Sequence, residues 1–266
     1  MRRAYLQLDH GQLHYRESGE RAGVPWLLLH QSPSDSRMYE KLAAALGESP
    51  WLGEGPWIVA PDNPGFGGSD PLPGGFTLAA CASAILNLLD ALHIDQCYLF
   101  GHHTGASIAA QLADLAPQRF VRIALCGPTL LGPELKAALP GKAEAFPVDA
   151  DGSHLSAMWR RMAAKEAGAD PDLLLREVGS AFAAGSAYKE AYQAVAQQDF
   201  EMLLRGLSQP TLVFAGTEDI LYPQLAPSLA CLQQGELAEI EGAGSYICET
   251  RPVEIAALLR EFFRDA

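Results

Sequence analysis

The sequence is poor in positive charge and has no apolar run long enough to span a membrane. Lysine and arginine together number 19, against 32 aspartate and glutamate residues, so the formal net charge is −13 at pH 7. An excess of negative charge repels nucleic-acid phosphates and anionic membrane surfaces. A membrane-spanning helix would need about 20 consecutive apolar residues. We therefore expect no nucleic acid and no membrane among the partners of the chain.

Cysteine is also scarce, and its spacing excludes the usual disulfide and zinc patterns. The five cysteines are spread along the chain, with no C-x-x-C pair and no His/Cys cluster at zinc-ligand spacing. The N-terminal stretch Met1–Asp9 alternates apolar and polar residues and lacks the apolar core of a signal peptide. These absences predict a cytoplasmic protein with reduced thiols and no metal centre.

Nucleotide-binding motifs are absent as well. The run Gly65-Phe66-Gly67-Gly68 lacks the G-x-G-x-x-G spacing and the strand-then-helix setting of a dinucleotide site. No P-loop pattern occurs elsewhere in the chain. The sequence therefore predicts no cofactor.

What the sequence does contain is an alternation of short apolar strands and helical patterns. With 266 residues, 48% of them apolar, the chain can bury a substantial core as one domain with an insertion or as two domains. Such alternation predicts a mostly parallel, twisted α/β sheet with helices on both faces. The predicted elements are a hairpin over 4–18 with its turn at Asp9-His10-Gly11, strands over 24–29, 57–60, 96–102, 120–126, 210–216 and 238–241, and helices over 38–46, 77–92, 104–116 and 252–263.

The alternation breaks between about Leu130 and Leu207, where only helical stretches occur. We interpret residues 1–129 and 208–266 as one core domain and residues 130–207 as a helical cap inserted between two strands. A cap of this kind covers a pocket at the carboxyl ends of the strands. An apolar roof suggests a small, largely apolar substrate with one carbonyl or similar polar group.

Gly101 and Gly105 flank a tight turn between a predicted strand and a predicted helix. This spacing matches the G-x-Ser-x-G nucleophile elbow, in which flanking glycines let two backbones approach each other. The residue at the tip is His103 instead of serine. Histidine tolerates the positive φ that such a tip needs, so the expected backbone geometry is retained while the chemistry changes.

Several motifs along the chain resemble those of the α/β-hydrolase superfamily, most closely its capped bacterial members similar to haloalkane dehalogenases and carbon–carbon-bond hydrolases. The resemblance implies an α/β-hydrolase fold along essentially the whole chain. The motifs are His30-Gln31-Ser32-Pro33 in place of H-G-x-P, the loop 62–70, the elbow, Gly216-Thr217-Glu218-Asp219, and Gly242-Ala243-Gly244 before the last helix.

The resemblance also implies an altered catalytic triad. In the family, an elbow nucleophile is served by a histidine after the last strand, which is oriented by an acid after an earlier strand. Asp219 matches the acid, but Ser245 stands where the histidine is expected, and His103 occupies the tip. The oxyanion and binding region is expected at His30, Gln31, Ser32 and Thr104, with the backbone N–H groups of the last two as donors.

Three hypotheses remain open at this stage. In the first, His103 is a general base that activates Ser245, with Ser32 or Ser34 as alternative nucleophiles. In the second, His103 deprotonates water or a carbon acid with Asp219 as its charge partner, which covers hydrolysis, lyase and isomerase chemistry. In the third, the chain is a catalytically silent small-ligand-binding protein. The sequence also leaves open whether the chain forms a homodimer.

Overall fold

Within the described residues, eight strands form a single sheet in the order β1-β2-β4-β3-β5-β6-β7-β8. The computed structural model describes residues 1–9, 11–47 and 55–264. β1 and β4 both pair antiparallel with β2, and the other neighbouring strands are parallel. The predicted mostly parallel sheet is therefore confirmed. The strands are β1 Arg2–Leu8, β2 Gly11–Ser18, β3 Trp26–Leu29, β4 Ile58–Pro61, β5 Cys97–His102, β6 Phe120–Cys126, β7 Thr211–Gly216 and β8 Gly235–Ile240.

Helices cover both faces of this sheet. Alternate side chains of a strand point to opposite faces, so the adjacent β5 residues Leu99 and Phe100 lie in two separate apolar clusters. The helices are α1 Glu40–Gly47, α2 Leu78–Ala91, α3 Thr104–Leu115, α4 Pro133–Lys142, α5 Ser153–Ala163, α6 Pro171–Ala183, α7 Ser186–Gln197, α8 Phe200–Gly206, α9 Leu225–Leu229, α10 Ile247–Thr250 and α11 Pro252–Arg264. Short 3-10 helices lie at Ser36–Tyr39, Pro117–Arg119 and Tyr222–Gln224. Among the described residues, no helix combines the length and the apolar character needed to cross a membrane.

Local sequence signals place several element ends correctly. Thr77 caps α2, because its Oγ1 accepts a hydrogen bond from the Ala80 N–H at 3.2 Å. Before α1, Asp35 accepts the Arg37 N–H and caps the 3-10 helix Ser36–Tyr39. β8 begins at Gly235, three residues earlier than predicted. The first three residues of this edge strand, Gly235, Glu236 and Leu237, are exposed, and a single leucine among them does not form the apolar run used to find strands.

The hairpin predicted near the N-terminus is also present. β1 and β2 pair from Arg2 with Glu17 to Leu8 with Gly11. The turn was predicted at Asp9-His10-Gly11, and of these residues His10 lies outside the described part of the chain.

The segment 130–207 contains five helices, α4 to α8, and no strand. The helical sequence patterns over 155–162 and 171–178 indicated parts of α5 and α6, whereas α4, α7 and α8 were not located individually. α4 contains Pro140 and has no buried residue, so it lacks a clear apolar stripe. α4 packs against α7, and α5 packs against α6. This segment, called the insertion below, leaves the sheet after β6 and returns at β7.

A buried polar network fastens the insertion to the rest of the molecule. The hydroxyl of Ser34 donates to Glu177 of α6 at 2.8 Å, and Ser180 of α6 donates to Asp35 at 3.0 Å. Arg176 of α6 forms ion pairs with both Glu177 and Glu249 of α10. Burial raises the pKa of Glu249 above its ordinary value, although Arg176 opposes the shift. Each buried carboxylate therefore has a hydrogen-bonding partner, as such groups require.

Candidate active site

The turn between β5 and α3 has the backbone geometry predicted for an elbow. His103 at its tip has φ 48° and ψ −108°, a conformation that side chains other than glycine rarely adopt. A Cβ on Gly101 would lie less than 3.0 Å from the backbone of Gly105, and a Cβ on Gly105 would meet the backbone of Leu29 equally closely. Both flanking positions therefore require glycine because two backbones approach each other there.

The imidazole of His103 reaches the carboxylate of Asp219 directly. The distance from His103 Nε2 to Asp219 Oδ2 is 2.9 Å. Because a carboxylate can only accept, Nε2 carries the proton in this bond, and the lone pair of a neutral imidazole is then on Nδ1. Nδ1 has no hydrogen-bond partner among the described residues, and 15% of the side chain is exposed. Gly127 leaves room for the ring, since a Cβ at that position would overlap it.

Asp219 is ionised in this setting. Burial opposes ionisation of its carboxyl, but the charge and hydrogen bond of His103 and the backbone N–H of Leu221 outweigh that effect and hold the pKa of Asp219 well below its ordinary range. The Leu221 N–H donates to Asp219 Oδ1 at 2.7 Å. The neighbouring Glu218 is exposed and does not bond His103 in the described structure.

Ser245 is buried and lines the same cavity as His103, but the two side chains make no hydrogen bond in the described structure. The hydrogen bond expected between them is therefore not found. The physical reason is that the imidazole extends toward Asp219. Ser245 is instead held through its backbone: its carbonyl accepts Gln31 Nε2 at 3.1 Å, and its N–H points to the carbonyl of Lys165 at 3.4 Å.

The expected oxyanion region is assembled from two loops that meet at the elbow. The Ser32 N–H lies 3.4 Å from Thr104 Oγ1 at the first turn of α3. His30 supports this loop, because its Nδ1 donates to the Gln31 carbonyl at 2.8 Å while its Nε2 accepts the Asn63 N–H at 2.7 Å. His30 is thus held by two hydrogen bonds beneath this loop.

Of the two serines offered as alternative nucleophiles, neither hydrogen-bonds His103 in the described structure. Ser34 donates to Glu177 at 2.8 Å and belongs to the polar network below the insertion. The hydroxyl of Ser32 is buried and has no partner among the described residues.

A cavity of about 680 Å³ opens above the elbow, between the sheet and the insertion. Its wall is mainly apolar, but three cations of the insertion also line it: Lys142, Arg161 and Lys165. Lys165 Nζ lies 3.4 Å from the carbonyl oxygen of Ser32, next to the oxyanion region. Sequence reasoning missed these residues. The available signal was the presence of basic residues at the ends of α4 and α5, a feature that also occurs on ordinary helices because of the helix dipole.

One group of described side chains has a donor set that could hold a metal ion. One ligand atom from each of His102, His103 and Asp219 lies within 4.8 Å of the other two. His102 is fully buried, and burial lowers its pKa well below the ordinary value, so its imidazole is neutral. Two neutral imidazoles and a carboxylate are ligands that zinc accepts. The sequence spacing did not indicate this group because Asp219 is far from the two histidines along the chain.

Comparison with known proteins places this geometry in a family. The family model described as "alpha/beta hydrolase fold" matches residues 25–252. A haloalkane dehalogenase of Psychrobacter cryohalolentis is 33% identical over 134 residues, which are 48% of this chain and 42% of that protein. A 2-hydroxy-6-oxo-6-phenylhexa-2,4-dienoate hydrolase of Comamonas testosteroni is 30% identical over 129 residues, 48% of this chain and 44% of that protein. The matched stretch thus spans less than half the length of either relative.

Solved structures agree on the fold. A hydrolase from Pseudomonas aeruginosa superimposes with a TM-score of 0.82 at 21% identity, over 98% of this chain and 97% of that protein. The fold alone does not assign a substrate. The family match covers most of the sequence, and the eight-stranded sheet and the elbow agree with it, so the chain belongs to the α/β-hydrolase fold family.

Proposed function

We propose that this α/β-hydrolase-fold enzyme uses His103 and Asp219 as a general-base pair to hydrolyse a small carbonyl compound. The observation that carries the proposal is the 2.9 Å hydrogen bond between His103 Nε2 and Asp219 Oδ2. It fixes the ring tautomer and leaves Nδ1 of a cavity-lining histidine as the acceptor for a proton.

In the proposed reaction, Nδ1 of His103 takes a proton from water as the water oxygen bonds to the carbonyl carbon. The negative charge that develops on the carbonyl oxygen is stabilised by the backbone N–H groups of Ser32 and Thr104. The imidazolium then gives its proton to the leaving oxygen as the carbon–oxygen bond breaks. Asp219 orients the ring and stabilises its positive charge throughout.

The insertion has a place in this scheme as the cap that the sequence predicted. One cavity is lined both by the insertion, residues 130–207, and by the rest of the chain, residues 1–129 and 208–266. This supports treating the insertion as a cap and the rest as the catalytic core. Exclusion of bulk water by a cap strengthens the electrostatic interactions at the reacting carbonyl. Gln31 and His30 hold the surrounding loops in position.

A serine-based route is the main alternative within hydrolysis. Ser245 lines the cavity and its hydroxyl makes no hydrogen bond in the described structure, so substrate binding could bring it into reach of His103. Labelling with a fluorophosphonate followed by mass-spectrometric mapping separates the routes. The water route predicts no adduct on Ser245, Ser32 or Ser34. An adduct on one of these serines that is lost in His103→Ala would show that this serine, and not water, is the attacking group.

A second candidate reaction is proton transfer next to a carbonyl. The ammonium of Lys165, which lies beside the oxyanion region, favours it because a cation there would stabilise an enolate. Incorporation of deuterium from D₂O into an unreacted carbonyl substrate, with no hydrolysis product, would identify this reaction by NMR.

The deciding experiment compares three variants on a panel of 4-nitrophenyl esters. We expect His103→Ala and Asp219→Asn to lower kcat/KM by about 100-fold or more, the range of general-base contributions, and Ser245→Ala to stay within about tenfold of the parent. Equal activity in the parent and His103→Ala would contradict the proposal. A folded protein that turns over nothing, but whose Tm rises with ligand, would be a silent binding protein.

A further inference from the structure

We propose that the cavity selects substrates that carry a carboxylate in addition to the reacting carbonyl, and that Lys142, Arg161 and Lys165 bind this second group. The inference rests on the proposed function for the reacting end of the substrate, but the anion site is defined by its own residues. It revises the sequence-based expectation of a largely apolar ligand.

The first step of the argument is that these three cations have no carboxylate partner. None of them forms an ion pair within the described part of the chain, although several other basic side chains of the protein do. The contrast matters because acidic residues outnumber basic ones by 32 to 19. In such a protein, three unpaired cations on one cavity form a local region of opposite charge, which attracts anionic ligands.

The second step is that the structure holds two of the cations in position. Arg161 donates to the carbonyl of Glu144 at 2.8 Å, and its guanidinium lies 4.0 Å from the ring centroid of Phe146. Arg161 lies in the last turn of α5, and Lys165 follows two residues after the end of the helix. The backbone of Lys165 continues this turn, since its N–H donates to the Met162 carbonyl at 3.1 Å.

The third step concerns the position of the cations relative to the reacting group. Lys165 Nζ lies 3.4 Å from the Ser32 carbonyl, so this ammonium adjoins the oxyanion region. Lys142 and Arg161 line the same cavity from the ends of α4 and α5. A substrate whose carbonyl sits at Ser32 and Thr104 therefore has cations available for a second, charged end. Arginine binds a carboxylate through two parallel hydrogen bonds, which favours a planar carboxylate as the occupant.

Among the described residues that line the cavity, Glu218 is the only acidic one. Its single charge leaves the three cations in excess. A cavity of about 680 Å³ also has room for a ligand of the size of an aliphatic half-ester.

The test compares two esters of equal chain length, mono-4-nitrophenyl adipate and 4-nitrophenyl hexanoate, which differ in the terminal carboxylate. We expect the parent to prefer the adipate ester by about 100-fold in kcat/KM, with most of the difference in KM, because hydrogen bonds to charged groups are among the stronger ones. Arg161→Gln and Lys142→Gln should each lower this preference about tenfold. Added salt should lower it as well, since it screens the charges.

Lys189→Gln is the matched control. Lys189 is a cation of the same insertion, but it pairs with Glu144 at 2.6 Å and does not line the cavity. We expect this variant to keep the parent preference. A parent enzyme that hydrolyses both esters equally well would overturn the inference, as would a loss of preference in Lys189→Gln equal to that in Arg161→Gln.

A binding measurement separates this inference from the proposed reaction. Adipate is titrated calorimetrically into the parent, His103→Ala and Arg161→Gln. Binding to the first two and loss of binding in the third supports the anion site even if no ester is hydrolysed, in which case only the proposed reaction fails. Hydrolysis without preference and without adipate binding would leave the reaction standing and remove the anion site.

Discussion

Gly105 of α3 lies so close to Leu29 of β3 that a Cβ on the glycine would fall less than 3.0 Å from the Leu29 carbonyl oxygen. We therefore expect Gly105→Ala to push the helix away from the strand and lower the free energy of unfolding by about 3 kcal/mol. Gly179→Ala is the control, because this helical glycine faces open space and alanine there should stabilise α6 by up to about 1 kcal/mol. Urea unfolding measures both. Equal effects of the two substitutions would contradict the steric argument.

The pair of His103 and Asp219 should also affect stability in a pH-dependent way. The pKa of Asp219 is lower in the folded protein than its ordinary value of about 3.9, so the folded state favours the ionised carboxylate. The stability that the pair contributes is fully present above the ordinary pKa and is lost as the pH falls through the lowered one. We expect Asp219→Asn to cost on the order of 2 kcal/mol near neutral pH, and the difference from the parent to shrink below about pH 4. Denaturant titrations across this range measure the free energy of unfolding of the parent and of Asp219→Asn. A difference that grew as the pH fell would contradict this prediction.

Removal of Arg176 should destabilise the protein strongly. Glu177 and Glu249 are buried, and both depend on this guanidinium for charge neutralisation. Arg176→Met should therefore lower the free energy of unfolding by about 3 kcal/mol, the cost of leaving a buried charge without its partner. Arg205→Met is the matched control, since Arg205 pairs with Glu201 on the surface, where such pairs contribute little. Thermal unfolding of the two variants tests this prediction. Similar Tm values would contradict a stabilising role of the buried ion pairs of Arg176.

Chelation distinguishes general-base chemistry from a metal-dependent reaction at the same residues. His103 Nε2 already donates to Asp219, and burial, His103 and the nearby cation Lys165 together lower the pKa of the adjoining His102. Both features disfavour a divalent cation. We expect dialysis against EDTA to leave ester hydrolysis within twofold of the untreated enzyme, and zinc to bind with no better than micromolar affinity. Loss of activity that zinc restores would assign His102, His103 and Asp219 as metal ligands.

The elements of the core were predictable because each carries a local signal. Buried parallel strands such as Leu27–Leu29 appear in the sequence as short apolar runs. Thr77 indicates the start of a helix because its side chain is of the capping type. The contact of His103 with Asp219 was predicted only in part. The family pattern identified both positions, but it implied that another side chain lies between them. The side chain of a histidine at the tip is long enough to reach Asp219 directly. A pattern of residue types carries no information on such a distance.

The cavity wall was the least predictable part. Lys142, Arg161 and Lys165 come from an insertion whose helices have weak or mixed apolar patterns, and nothing local shows that they face a cavity. Their position depends on the packing of α4 against α7 and of α5 against α6, which arises only in the folded molecule. The same holds for the metal-ligand arrangement, which joins residues 116 positions apart.

The hydrogen bonds from Ser34 to Glu177 and from Ser180 to Asp35 have a consequence for how substrates gain access. Ser34 and Asp35 lie two and three residues after Ser32 in the chain, so the segment proposed to supply an oxyanion donor also anchors α6. Any movement of the insertion that admits a large substrate would pull on this segment and displace the Ser32 N–H from the carbonyl. Under the proposed function, we expect this donor to be aligned with the carbonyl only while the two hydrogen bonds hold α6 in place.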